Sequence, residues 1–478
     1  MSLTLGAVLG ALHCRLEHES PVLDRPRWLP GQPCPLLPSK EDEVEQTEEP
    51  VELVARVCAL DIGKATVMAC VRVPHEDNPG RRRQEVREYA TRVPALLELA
   101  DWLRCQSVQL VAMEATSSYW KPVFYLLEAE GFTCWLLNAR HVKHVPGRPK
   151  TDRLDAVWLA KVVERGMCRP SLVHPKPIRQ LRDLTRYRRS LIRERTREKQ
   201  RLEQLLEDAQ IKLSSVISDI FGVSGRQMLQ ALIAGQRNPK ALAQLARASM
   251  RSKIAVLEEA LTGHFDDHHG FLCQLMLERI DAATAKIDRV TAEIDRVIAP
   301  FDHQVAQLDA ITGVGVVAAQ ELIAEIGVEM GRFPTAAHLV SWAKFAPIDH
   351  QSAGTKKRGA TGRGNPWLAA TLGEIVAALA RTDTFLGERY RRLARRRGKH
   401  RAIVAVGNSV LTIVWHLLAD PQARYQDLGP DFYASKINQR RRQRDLVRQL
   451  EHLTGKKVVL QPRELAPVSR TLPICLGR

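Results

Sequence analysis

The stretch Val54-Ala-Arg-Val-Cys-Ala-Leu-Asp-Ile-Gly-Lys-Ala-Thr-Val-Met-Ala-Cys-Val-Arg-Val73 decides how the rest of the chain reads. Val54 to Ile62 and Ala65 to Val73 are β-branched apolar runs, and Gly63-Lys64 between them is a hairpin signal. An acid interrupts the first run near its end: Asp61. A carboxylate in an apolar strand is costly to bury unless it is ionised against a metal or another cation. The stretch therefore predicts two paired strands with a charge kept near their turn for a chemical reason.

Working outward, Glu85 to Ala90 supplies a third strand and Pro94 to Cys105 a helix. A buried strand follows at Val108 to Met113, then a helix at Tyr119 to Glu130 and a strand at Phe132 to Leu137. Asp152 to Glu164 predicts another helix, with Leu154, Val157, Leu159 and Val162 as its apolar positions. Three strands followed by alternating helix and strand is the order of an α/β RNase H-like (RuvC-like) domain, placed at 53–170.

The flanks read differently. Residues 1–52 combine clustered prolines with the acidic run Glu41 to Pro50, the composition of a disordered tail. Residues 171–300 are almost wholly helix-forming, and Ile287, Val290, Ile294 and Val297 recur at helical spacing, which suggests a coiled-coil arm. Lys176 to Arg201 in that arm holds eleven Lys or Arg against three acids. It is either a surface for oligomerisation or nucleic acid, or a solvated helix face. A mainly α-helical C-terminal domain is expected at 301–420, and a basic, irregular tail at 421–478 that includes Arg440-Arg-Arg-Gln-Arg444.

Composition narrows the partners. Across 478 residues, 71 Lys and Arg face 54 Asp and Glu, a net charge of +17, and the pI is near 9.7. Such an excess favours a polyanion, nucleic acid before membrane, because binding it releases counterions. None of the nine cysteines forms a C-x-x-C pair, which argues against a zinc ribbon or disulfide framework and suits a reducing cytoplasm. The apolar run Leu3 to Leu12 is too short to span a bilayer, so no membrane partner is expected. Gly263-His-Phe-Asp-Asp-His-His-Gly270 holds metal-ligand residue types but lies between helical stretches and reads as an exposed turn.

Four acids stand out. Asp61 closes the first strand, and Val111-Ala-Met-Glu-Ala-Thr116 places Glu114 just past a core run. In an RNase H-like sheet these two strand ends lie side by side. Lys150-Thr-Asp-Arg-Leu-Asp-Ala156 adds Asp152 and Asp155, three apart on one helix face, although Asp152 could equally be a helix cap. Taken together, four convergent carboxylates suit a hard divalent cation, Mg²⁺ or Mn²⁺, that also binds substrate phosphate.

The C-terminal half offers a second set. Gly313 and Gly315 lie between two helical segments, as in a helix-hairpin-helix motif that grips a DNA phosphate, or as in any tight turn. Phe345-Ala-Pro-Ile-Asp-His-Gln-Ser-Ala-Gly354 opens a glycine-rich basic loop. In it Ser352 is sterically open, and Lys356, Lys357, Arg358 and Arg363 could stabilise a phosphoryl transition state. By chemistry alone Ser352 is equally an ordinary loop serine. Arg389 to Arg401, with Arg395, Arg396 and Arg397 at its centre, reads as a phosphate-tracking patch.

Taken in order, Ala59-Leu-Asp-Ile-Gly-Lys64, Met113-Glu-Ala-Thr116, Lys150 to Ala156, the Gly313/Gly315 turn, Phe345 to Gly354 and Arg363-Gly-Asn365 carry a resemblance. Over about 53–420 the chain resembles the DEDD transposases of the one-hundred-and-ten family of insertion sequences, which are bridge-RNA-guided recombinases. The resemblance implies a RuvC-like domain with Asp61, Glu114, Asp152 and Asp155 as its metal-binding set. It further implies a transposase domain in which Ser352 attacks DNA to form a phosphoserine, a homo-oligomer (dimer or tetramer), and a structured guide RNA encoded by the element. The serine-glycine pair common in the family is here Ser352 and Gly354, with Ala353 between them. Two other readings remain open at this point: a metal-dependent, structure-selective DNA nuclease of the Holliday-junction-resolvase kind without serine chemistry, and a non-catalytic nucleic-acid-binding protein.

Overall fold

Strand β1 (Val57–Ile62) owes its position to alternation: Cys58, Leu60 and Ile62 pack on one side of the sheet and Val57 and Ala59 on the other. The computed structural model describes residues 54–78, 81–115, 117–138, 151–347, 350–352, 355–357, 359–435 and 439–459. The tail expected at 1–52 lies outside them. The chain divides into two units, one reaching to Pro175 and the other beginning at Lys176.

The first unit is a mixed sheet with helices on both faces. β1 pairs antiparallel with β2 (Thr66–Pro74), and β2 with β3 (Arg82–Ala90). Helix α1 (Val93–Cys105) then leads to β4 (Leu110–Glu114), helix α2 (Trp120–Ala129) to β5 (Thr133–Leu137), and helix α3 (Asp152–Glu164) to the two-residue strand β6 (Pro170–Ser171). The strand order is β3-β2-β1-β4-β5-β6, with β4 and β5 parallel to β1. This is the RNase H-like arrangement that the sequence pattern predicts; β6 is the one element it did not show. Helices α1 and α2 bury Leu96, Leu99, Leu103, Val123 and Leu127 against one face. Helix α3 alone lays Ala156, Leu159, Ala160 and Val163 on the other. Its far end is fixed by Glu164, whose carboxylate accepts from Arg72 at 2.5 Å and Arg82 at 2.6 Å.

The second unit is helical. Helix α4 (Lys176–Asp208) runs the length of the arm, and short helices α5 (Leu213–Val216), α6 (Val223–Ile233), α7 (Pro239–Ala243) and α8 (Ile254–Ala260) cap its end around Leu206, Met228, Leu232 and Leu257. Helix α9 (Asp267–Ile298) returns alongside α4. The histidine-rich stretch, expected as an exposed turn, runs into the first turn of this helix, where His268, His269 and Gly270 are helical. The Asp266 carboxylate accepts the His269 amide at 3.0 Å, and the His269 ring faces the Asp266 amide, so the pair caps α9.

Helices α10 (Asp302–Asp309), α11 (Val316–Ile326) and α12 (Ala336–Trp342) follow. A two-stranded hairpin, β7 (His350–Ser352) and β8 (Thr355–Lys357), leads on to α13 (Pro366–Leu379), α14 (Phe385–Arg397) and α15 (Lys399–Ala419). Helix α15 is long and apolar enough to cross a membrane by composition alone. Here Val406, Val410, Ile413 and Leu417 are buried and α12, α13 and α14 pack around it, as in the core helix of a domain. The tail expected to be irregular past 421 is corrected by two further helices, α16 (Phe432–Ser435) and α17 (Gln439–Thr454). Tyr433 stacks on Phe385 at 5.3 Å, and the Asp427 carboxylate accepts the Phe385 amide at 3.0 Å, so this segment covers the start of α14. Leu446, Leu450 and Leu453 give α17 its helical period among the arginines that obscured it.

Candidate active site

In the parallel pair β1 and β4, Leu60 stands opposite Met113. One step further along each strand are Asp61 and Glu114. Period-two alternation puts both on the face of Val57, Ala59, Leu110 and Ala112, the face that α3 covers. Both are half-buried. Gly63 makes the turn after Asp61, its amide donating to the Thr66 carbonyl at 2.9 Å.

Helix α3 brings the other two acids to the same face. Thr151 is its N-cap: the hydroxyl accepts the Leu154 amide at 3.3 Å. The alternative of Asp152 as the cap is thereby excluded, and Asp152 is instead the first helical residue. Asp155 precedes Ala156 by one position and Leu159 by four, so it continues the buried stripe and is half-buried, while Asp152, a turn earlier, is exposed. Asp61, Glu114 and Asp155 thus share one sheet face, with Asp152 at its rim.

The donor set fits a hard cation in type, four carboxylates and no thiolate. Burial pushes the thiol of Cys70, on the same face, up to about 11. The acids are gathered on a face but not drawn into one chelating cluster. Among the described residues, no group of three or more His, Cys, Asp or Glu is close enough to hold a metal ion.

The second set lies in the helical unit. Gly313 adopts φ +86°, and a Cβ there would meet Leu379 Cγ at 2.9 Å, so the turn between α10 and α11 requires glycine at this position. Gly315 is the N-cap of α11, with ordinary dihedrals and open space where a Cβ would stand. Ser352, expected in a loop, ends strand β7 opposite Thr355; Lys356 pairs with Gln351 and Lys357 with His350. Arg358 lies outside the described residues. Arg363 is exposed, as are Arg395, Arg396 and Arg397 in the last turn of α14. Gly398, φ +83°, ends that helix and starts α15.

Sequence reasoning missed a polar network inside the helical unit. Arg186 of α4 donates to both oxygens of Glu325 at 2.7 and 2.8 Å, and Arg182 to the Ala324 and Glu325 carbonyls at 3.0 Å each. Arg189 meets Glu321 at 2.9 Å and the Thr371 hydroxyl at 2.8 Å, and also pairs with Glu374. Arg188 bonds Gln320 at 3.0 Å. A signal was present: Ile178, Leu181, Thr185 and Arg188 are spaced 3-4-3, which places an arginine on the buried seam of α4.

Comparison with known proteins gives this geometry a family. The model for the DEDD transposase domain of the IS110 type matches residues 58–211, and that for the transposase IS116/IS110/IS902 family matches residues 305–391. Together they span about half of the chain, and all four acids, the glycine turn and Ser352 fall within them. No curated protein matches the chain. The matches define the class first: a transposase, an enzyme that cleaves and rejoins DNA. The chain belongs to the IS110 family of DEDD transposases. Its substrate is therefore DNA, and DEDD domains of this kind use a divalent metal.

Proposed function

We propose that this transposase moves its insertion sequence by pairing the carboxylate face with a serine nucleophile, Ser352. What supports this reading is placement: Asp61 and Glu114 lie one step past the paired Leu60 and Met113 on the sheet face that α3 covers, and Asp152 and Asp155 lie in the first turn of α3. These four would hold Mg²⁺ or Mn²⁺, and a bound cation supplies Lewis-acid charge for a scissile phosphate.

The chain's own residues divide the remaining work. The Ser352 oxygen forms a bond to phosphorus, the DNA oxygen leaves with a proton, and the strand stays linked to the protein as a phosphoserine. A hydroxyl of a second DNA end then attacks that phosphorus and the serine leaves. One phosphodiester is exchanged for another without external energy. Lys356, Lys357, Arg358 and Arg363 flank the serine with positive charge for the anionic transition state. Gly315, at the open start of α11, and Arg395, Arg396 and Arg397 hold DNA or RNA backbone. A guide RNA transcribed from the element selects the target, and a dimer or tetramer in the bacterial cytoplasm assembles the reacting ends.

The test is to incubate purified protein, Mg²⁺ and element-end DNA, with and without RNA transcribed from the element's flank. A covalent protein–DNA adduct is expected, absent in Ser352→Ala and in Asp61→Ala. Free cut ends without adduct would instead indicate a metal-dependent nuclease that uses water, and binding without cleavage a non-catalytic protein.

A further inference from the structure

The segment that carries Ser352 is fixed at both of its feet. At the first, Phe345 is buried so closely against Gly407 of α15 that a Cβ there would meet its ring at 2.6 Å, and the Asn408 amide donates to the Phe345 carbonyl at 3.2 Å. At the second, Gly364 lies against the backbone of the first: a Cβ on it would stand 2.5 Å from the Ala343 carbonyl oxygen. Asn365 then does two things with one side chain. Its Oδ1 accepts the Trp367 amide at 3.0 Å, capping α13, while its Nδ2 donates to Glu325 Oε2 at 2.5 Å.

Glu325 is 2% exposed, and it is the same carboxylate that Arg186 grips with both guanidinium nitrogens. Trp367, two residues past Asn365, lies against two arginines of α4, with the Arg186 and Arg193 guanidinium carbons 5.5 and 5.2 Å from its ring. A continuous polar path therefore runs from the arm helix α4 through Arg186, Glu325 and Asn365 to the residue where the serine segment ends.

Stability alone does not call for this arrangement, because apolar side chains of similar volume would hold the helices together as well. Directed donors and acceptors add a single permitted geometry. We propose that Glu325 and Asn365 are positioning residues that fix the second foot of the Ser352 segment relative to α4, so that the arm's placement is felt at Ser352. The inference rests on the reading of Ser352 as nucleophile.

The test uses the full-length protein with element-end DNA and Mg²⁺. Asn365→Ser keeps a helix cap and loses only the donor. Asn365→Asp keeps the cap but sets a carboxylate against Glu325. Both variants are expected to slow adduct formation about tenfold or more while DNA affinity stays within about twofold. Hydrogen exchange of residues 346–364 should rise in both, while that of the Asn365-capped helix α13 stays as in the wild type. Wild-type rates and exchange in both variants would overturn the proposal, as would a joint loss of rate and DNA affinity. If the wild type forms no adduct, yet exchange of residues 346–364 still rises in both variants, the serine reading fails and the positioning role stands.

Discussion

Two helices of this protein carry dense arginine, and they spend it in opposite ways. In α4 the arginines at 182, 186, 188 and 189 turn inward. The Arg189 side chain is 9% exposed, and all four have partners on α11 or α13 more than a hundred residues away in sequence. In α14 the side chain of Arg395 is 74% exposed, and Arg396 and Arg397 stand in solvent beside it. Arg389 and Arg392, at the other end of the same helix, are held by Tyr433: one donates to its hydroxyl at 2.9 Å and the other lies 4.1 Å from its ring. The lesson is that a run of positive charge reports on partners only once its place on the helix is known. Charge on a buried seam implies internal carboxylates; charge in a last turn stays exposed to a phosphate even where, as at Arg395, it also reaches Glu388 at 3.4 Å.

The sharpest way to break this contrast is to remove the carboxylate at the centre of the inward set. Glu325→Ala leaves Arg186 without its counter-charge and is expected to cost the helical unit about 3–5 kcal/mol, read by urea unfolding. The salt dependence of DNA binding should not change. A flatter salt slope with unchanged stability would mean that Arg186 serves DNA after all.

The α/β unit holds the same motif on a smaller scale, with Arg72 and Arg82 absorbed by Glu164. Burial alone would raise the Glu164 carboxyl, but the hydrogen bonds and charges of the two arginines outweigh it and hold the group below the ordinary range. A depressed folded-state value adds stability above the unfolded value, near 4.3, and that stability is lost as pH falls through the lower folded value. Glu164→Gln is expected to cost about 2–3 kcal/mol at pH 7, and to unfold with a shallower acid dependence than wild type below about pH 5. Identical acid profiles would place the stabilising charge elsewhere.

The outward set makes the complementary prediction. Replacing Arg395, Arg396 and Arg397 together with Ala should leave unfolding within about 0.5 kcal/mol and lower the slope of log affinity against log salt by about 2 to 3. A change in stability with the slope intact would put these arginines in the same class as those of α4.

What the sequence revealed follows the same division between local and distant causes. The span of helix Asp152–Glu164 was legible because its apolar spacing is local, but its details were not: Leu154 is exposed, Ala156, Ala160 and Val163 join Leu159 in the packing, and the cap is Thr151. The face shared by Asp61 and Glu114 was legible because strand alternation is fixed by period two. The internal use of Arg186 was not, since Glu325 lies 139 residues away. Strand β6 was not either, since two residues become a strand only by pairing with Leu136 and Leu137. The role of Asn365 was hidden for the same reason: its capping half is local, but the donor half needs Glu325.

The glycines between α10 and α11 repeat the comparison at the smallest scale, one facing inward and one outward. Gly313, with φ +86° and Leu379 pressed against it, is there for the fold, so Gly313→Ala should destabilise by about 1–3 kcal/mol. Gly315 has open space above it and a backbone angle any residue adopts, so Gly315→Ala should fold as well as wild type. If the amides at the start of α11 grip a DNA phosphate, the added methyl group stands where the backbone must approach, and affinity should fall about threefold to tenfold with no change in melting temperature. Unchanged affinity would make the turn purely structural and leave α14 as the surface that carries backbone contacts.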